Sequence, residues 1–80
     1  VSYEVPLPMP DRLREKPILN ASELHKYLEE QGFKPMVVVV DNNMARVTIH
    51  FSEELGDEEK LRLQEAVLDW YRKWIGVESS

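Results

Sequence analysis

The stretch MVVVVDNNMARVTIHF, residues 36–51, decides the fold. It holds two apolar-rich runs, Met36 to Asp41 and Met44 to Phe51, separated by Asn42-Asn43. Side chains alternate faces along a strand, and β-branched residues fit a pleated surface. Asparagine tolerates the positive φ that a two-residue type I′ turn requires at both central positions. The pattern therefore predicts a hairpin with Val40 opposite Ala45, Val38 opposite Val47 and Met36 opposite Ile49. One face of it is apolar throughout: Met36, Val38, Val40, Ala45, Val47, Ile49 and Phe51. The other carries Val37, Val39, Arg46, Thr48 and His50. The first strand is apolar on both faces, which predicts that it lies at the centre of a sheet.

A helix is expected on each side of the hairpin. Before it, Asn20 is placed as an N-cap with Glu23 three residues on, a variant of the capping box. Ala21, Leu24, Tyr27, Leu28 and Gln31 then share one helical face. Gly32 can take the left-handed conformation that ends a helix, and Phe33 can fold back on the last turn. This helix is expected from about Ala21 to Gln31. After the hairpin, Ser52 to Gly56 reads as a connector and Asp57 as the cap of a second helix, from about Glu58 to Ile75, ended by Gly76.

At the front of the chain, Tyr3, Val5 and Leu7 alternate with polar residues, as in a short strand over Ser2 to Val5. Pro6, Pro8 and Pro10 follow. Each fixes φ and lacks an amide donor, so a central strand cannot continue there. Pro6 to Pro17 is expected to be an extended, polyproline-like arm with a turn near Asp11, and a candidate contact segment. The resulting order is β-α-β-β-α. A crossover between the first two strands suggests that they lie parallel. The fold class is then α+β: a two-layer sandwich with a three-stranded mixed sheet and two helices on one face.

Eighty residues suit a single small domain. Hydrophobic residues at 42% and charged residues at 31% mark a globular chain rather than a disordered one. With no cysteine there is no disulfide framework and no thiolate metal site. The longest apolar run, Pro35 to Val40, is too short to span a bilayer, and the first residues lack signal-peptide character. A cytoplasmic location is the default expectation. The net charge of −5 disfavours nucleic acid and anionic membranes as partners.

The second of these helices carries the strongest functional signal. At 100° per residue, Ala66, Trp70, Leu63, Trp74, Val67, Tyr71, Ile75 and Leu68 fill an arc of roughly 200°. A helix lying on a sheet needs an arc nearer about 100°. Val67, Trp70 and Trp74 are expected to face the sheet, leaving Leu61, Leu68 and Ile75 as a contact edge. Tryptophan and tyrosine concentrate at interface hot spots. The polar stripe opposite offers Glu58–Arg62 and Asp69–Lys73 pairs. The partner-binding candidates are Leu61, Leu68, Tyr71 and Ile75, with Val37 and Val39 on the second sheet face.

Chemistry-bearing clusters are sparse. His25 and Glu29 stand one helical turn apart, and two ligands do not make a zinc site. Arg46 and His50 share a strand face about 13 Å apart, too far to share a small anion. Gly32, Gly56 and Gly76 punctuate helices and form no phosphate loop. Glu53, Glu54, Asp57, Glu58 and Glu59 suit a helix N-terminus and lack the spacing of a calcium loop. The expectation is a non-enzymatic protein–protein interaction module or small accessory subunit. It would self-associate as a homodimer through the aromatic face of the C-terminal helix, the sheet or both, with no cofactor and no metal. The alternative is a nucleic-acid-associated protein using Arg12, Arg14, Lys16 and Arg46 against phosphates. A third reading is a small enzyme or metal protein around His25 or His50.

Overall fold

The hairpin forms where the sequence places it, but its turn is four residues long. In a computed structural model describing residues 1–8, 10–15, 17–18 and 20–75, the strands are β1 (Ser2–Pro6), β2 (Val37–Asp41) and β3 (Arg46–His50). The helices are α1 (Pro10–Glu15), α2 (Ala21–Glu30) and α3 (Asp57–Ile75). Gly76, Lys16 and the side chain of Arg12 lie outside the described residues.

Asp41 organises the turn. Its Oδ1 accepts from the amides of Asn43, at 3.1 Å, and Met44, at 3.0 Å. Ala45 closes the loop at a φ of 51°, a left-handed conformation that disfavours any residue with a Cβ. It is held by burial and by the Leu7 amide, which donates to its carbonyl at 2.7 Å. Val40 consequently pairs with Val47 and Val38 with Ile49, two residues beyond the register of a two-residue turn. A slip of two keeps every side chain on its expected face.

The strand order is β1-β3-β2. β3 pairs antiparallel with both neighbours, so the sheet is antiparallel throughout rather than mixed. β1 and β2 do run in the same direction, but they never touch, because the crossover skips one position. The central place expected for the valine strand belongs to β3, and β2 forms an edge.

Local signals account for α2. Asn20 Oδ1 accepts from the Ser22 amide at 3.1 Å and also from the Ser22 hydroxyl. At the other end Gly32 takes a φ of 96°. The Phe33 amide reaches the Leu28 carbonyl at 3.0 Å and the Gly32 amide reaches Glu29 at 3.1 Å. These are the two bonds of a Schellman motif, and they fold the Phe33 ring into the core.

The Pro6–Pro17 segment is not an extended arm. Pro10 opens the helix α1, with Asp11 in its first turn, because a proline at the first helical position has φ preset and no amide to satisfy. Leu13 and Ile18 are buried. The Asn42 side chain ties the connector to the hairpin turn: its Oδ1 accepts from the Ile18 amide, and its Nδ2 donates to the Ile18 carbonyl, both at 2.9 Å.

Leu24 and Leu28 of α2 and Leu63, Ala66, Val67, Tyr71 and Ile75 of α3 meet Val5, Leu7, Val47, Ile49 and Phe51 in one core. All three helices therefore cover the same sheet face. Val67 points inward as expected, but Tyr71 and Ile75 take the places assigned to Trp70 and Trp74. The tyrosine ring crosses the core and satisfies its hydroxyl at the far side, donating to the Pro8 carbonyl at 2.6 Å. The tryptophans lie at the core boundary, stacked at 5.4 Å with their planes 19° apart. On the outer stripe Asp69 meets Arg72 at 3.9 Å instead of Lys73. Arg62 lies over the Phe33 ring at 5.9 Å instead of meeting Glu58.

Candidate interaction surface

The sheet face opposite the helices is open. Register places three rows across it: Ser2, His50 and Val37; Glu4, Thr48 and Val39; Pro6, Arg46 and Asp41. Two columns are mainly polar, and Arg46 Nη1 reaches Glu4 Oε2 at 3.4 Å. The β2 column is apolar at two of its three positions, with Val37 at 49% and Val39 at 47% exposure. Met36 and Met44, which flank β2 in the chain, are 61% and 63% exposed. Alternation along the strand predicts Met36 on the buried face, and the structure exposes it. It stands one residue before β2, beside Pro35, where the ladder has begun to distort: its amide joins His50, already the partner of Val37.

The backbone of β2 is as informative as its side chains. On β3, the Ala45 carbonyl and the Phe51 amide just outside the strand both bond to the β1 side, through Leu7 and Val1. Backbone groups alternate direction along an antiparallel strand. Val47 and Ile49 therefore also face β1, while Arg46, Thr48 and His50 face β2. Their register partners Asp41, Val39 and Val37 use their backbone groups on β3. Val38 and Val40 direct their N–H and C=O groups out of the sheet. Among the described residues no other segment bonds to them.

The remaining candidates are scattered. Leu61, 63% exposed, stands alone on α3, and Leu68 is half-buried against the core. Tyr71 and Ile75 are core residues and offer no surface for a partner. Burial pushes the Tyr71 phenol above its ordinary pKa by disfavouring the charged form. Of the basic residues, Arg14 lies beside Asp11 at 3.9 Å in the helical layer, whereas Arg46 is on the open sheet face. Those two do not form one phosphate-binding patch, and the Arg12 side chain and Lys16 are outside the described residues.

His25 Nε2 is 3.8 Å from Glu29 Oε1, as their spacing predicts, and His50 is exposed on the far side of the sheet. Among the described residues no three His, Asp or Glu side chains gather as a metal ion requires. No described helix is long and apolar enough to cross a membrane. Two clefts lie along the helical layer. One, of about 220 Å³, is lined by Phe33, Phe51, Leu55 and Glu59. The other, of about 370 Å³, is floored by Tyr27 and Trp70 and rimmed by Glu23, Lys26 and Glu30. Trp70 thus shares this cleft with α2, while Trp74 packs at the core boundary. No family model, curated protein or solved structure matches the chain.

Proposed function

We propose that the protein is a non-enzymatic protein–protein interaction module, or a small accessory subunit, whose contact side is the β2 side of the sheet. The observation that carries this is the coincidence of two offers on one strand. β2 presents exposed Val37 and Val39, and the open N–H and C=O groups of Val38 and Val40 lie along the same edge. Strand addition uses both: main-chain hydrogen bonds supply affinity, and alternate side chains supply selectivity. The helical surface considered alongside it in the sequence contributes less, because Tyr71 and Ile75 are spent on the core.

The double substitution Val37→Lys with Val39→Lys tests this reading. Both side chains are about half exposed and project away from the core, so folding is expected to change little. Wild-type protein immobilised against an extract of its native host should retain proteins that the double variant does not. Identical retained sets from the two proteins would refute the reading.

A further inference from the structure

We propose that the cleft between α2 and α3 receives a guanidinium group, the side chain of an arginine carried on a partner protein. This goes beyond the strand-edge reading, which concerns the sheet, and does not depend on it.

Two helices set the chemistry of this cleft. Glu23, Tyr27 and Glu30 fall at i, i+4 and i+7 on α2, along one helical stripe. The carboxylates flank the tyrosine along the helix, their backbones two turns and about 10.5 Å apart. α3 supplies Trp70 as the facing wall. Tyr27 and Trp70 are half-buried, whereas both glutamates are exposed. The space between them, about 370 Å³, lies within the range of ligand-binding clefts.

Three observations select a cation. An aromatic face attracts positive charge through its quadrupole, and this chain already uses that attraction: Lys60 lies over Tyr3 and Arg62 over Phe33. Among the described residues no cation lies over Tyr27 or Trp70. Neither Glu23 nor Glu30 has an ion-pair partner among the described residues, so both carboxylates are open to an incoming charge. The chain as a whole carries a charge of −5, which favours the approach of a basic partner. Lys26 also stands at the rim, but two carboxylates outnumber it. On α3, Arg72 is turned to Asp69 at 3.9 Å.

Planarity selects the guanidinium. Trp74 stacks on Trp70 at 5.4 Å with the planes 19° apart. The stack fixes the Trp70 indole without filling the cleft, which Trp74 does not line. A ring already held in place costs little to order on binding. A guanidinium can lie flat on such a ring while its in-plane N–H groups reach carboxylates at the rim, a geometry that an ammonium group lacks. A metal ion fits poorly, because it needs several converging oxygen ligands and the two carboxylates stand on either side of an aromatic ring. The cleft is open on one side, so a side chain can enter while its own backbone stays outside.

A chemical-shift titration of the whole chain by NMR tests the proposal. The probe is a peptide blocked at both ends, with one arginine among glycines. It is compared with the same peptide carrying lysine, or citrulline as the neutral isostere. The arginine peptide should shift the Trp70 indole N–H and the α2 amides from Glu23 to Glu30 saturably, with a dissociation constant of about 1 mM. The citrulline peptide should bind about tenfold more weakly or worse. Glu23→Gln with Glu30→Gln should weaken arginine binding about tenfold. Both side chains are exposed, so the fold should be retained, which the melting temperature verifies. Lys26→Gln should tighten binding about twofold.

The absence of saturable shifts up to about 10 mM arginine peptide would overturn the proposal. So would equal binding of the arginine and citrulline peptides, or unchanged affinity in the folded double variant. If the double variant does not fold, the comparison of arginine with citrulline decides alone. Tighter binding of the lysine peptide would overturn the choice of guanidinium, and tighter binding of free arginine would overturn the choice of a protein partner.

Discussion

On the β1 edge the outward backbone groups belong to Ser2, Glu4 and Pro6, whereas on the β2 edge they belong to Val38 and Val40. The same alternation that opens Val38 and Val40 assigns the β1 positions, since Val1 and Leu7 bond inward to Phe51 and Ala45. Pro6 has no amide to give. Glu4 carries a charge, held toward Arg46, and the Lys60 ammonium sits 5.6 Å from the Tyr3 ring centroid on the inner side. One edge is thus guarded by a proline and a carboxylate, and the other is bare valine. Among the described strands, β2 is therefore the edge left open to strand addition.

The largest expected effect comes from erasing that difference. The double substitution Glu4→Val with Pro6→Val removes the carboxylate and restores the amide that proline lacks. Light scattering should then show mass growing with concentration well beyond that of the wild type, because both edges are open to pairing. An unchanged mass would mean that β1 is protected by something other than these two residues.

A second test concerns what anchors each edge strand to the core. Tyr71 fixes the exit of β1 through the Pro8 carbonyl. Tyr71→Ala should cost about 3–5 kcal/mol by urea denaturation, enough to unfold a domain of this size. Trp70→Ala, at the core boundary, should cost less, roughly 1–2 kcal/mol. The reverse ranking would place the wrong ring at the centre of α3.

The turn at the end of β2 has its own tether. Asn42→Ala leaves the Ile18 amide and carbonyl without their side-chain partners and should cost about 1–3 kcal/mol. Because this tie lies off the open edge, capture of host proteins by the folded fraction should stay unchanged.

The smallest effect is one of pH. The Tyr71 pKa is raised by burial, so the folded state holds its proton after the unfolded chain has released it. The stabilisation is complete below the ordinary tyrosine value of about 10 and is lost as pH rises through the raised folded value. The wild-type melting temperature should therefore fall as pH rises above about 10. Tyr71→Phe should flatten the part of that fall due to this phenol.

What was legible in the sequence follows from how local each signal is. α2 carries both of its stops within the chain that forms it, in Asn20 and Gly32, and the structure matches within a residue. The hairpin faces survived an error in the turn, because Asp41 rather than Asn42-Asn43 organises it and lengthens the loop by an even number of residues. α1 was missed because six residues are too few for helical periodicity to register. Its one signal, Pro10 followed by Asp11, was hidden by alternation with Pro6 and Pro8.

The surface was harder to read. Apolarity on both faces ordinarily marks a central strand, and here it marks an edge. Which strand is central depends on β1 finding β3 across most of the chain, and nothing near Val37–Asp41 encodes that. Likewise, periodicity defined the wide arc of α3 but could not choose Tyr71 over Trp70. A step of about 100° separates them, and the choice rests on a hydroxyl reaching Pro8.

The β1-β3-β2 order also sets a timetable for synthesis. β1 is made first, yet its partners lie far ahead, with Ser2 waiting for His50 and Pro6 for Arg46. The β2–β3 hairpin, by contrast, needs only its own turn. Closing the long loop is the slow entropic step, so β1 is expected to dock last, onto a preformed hairpin. Until it does, β3 itself has an exposed edge. The nascent chain passes through an interval in which both sides of the hairpin are unguarded, and crowding of partly made copies on one messenger is most hazardous then.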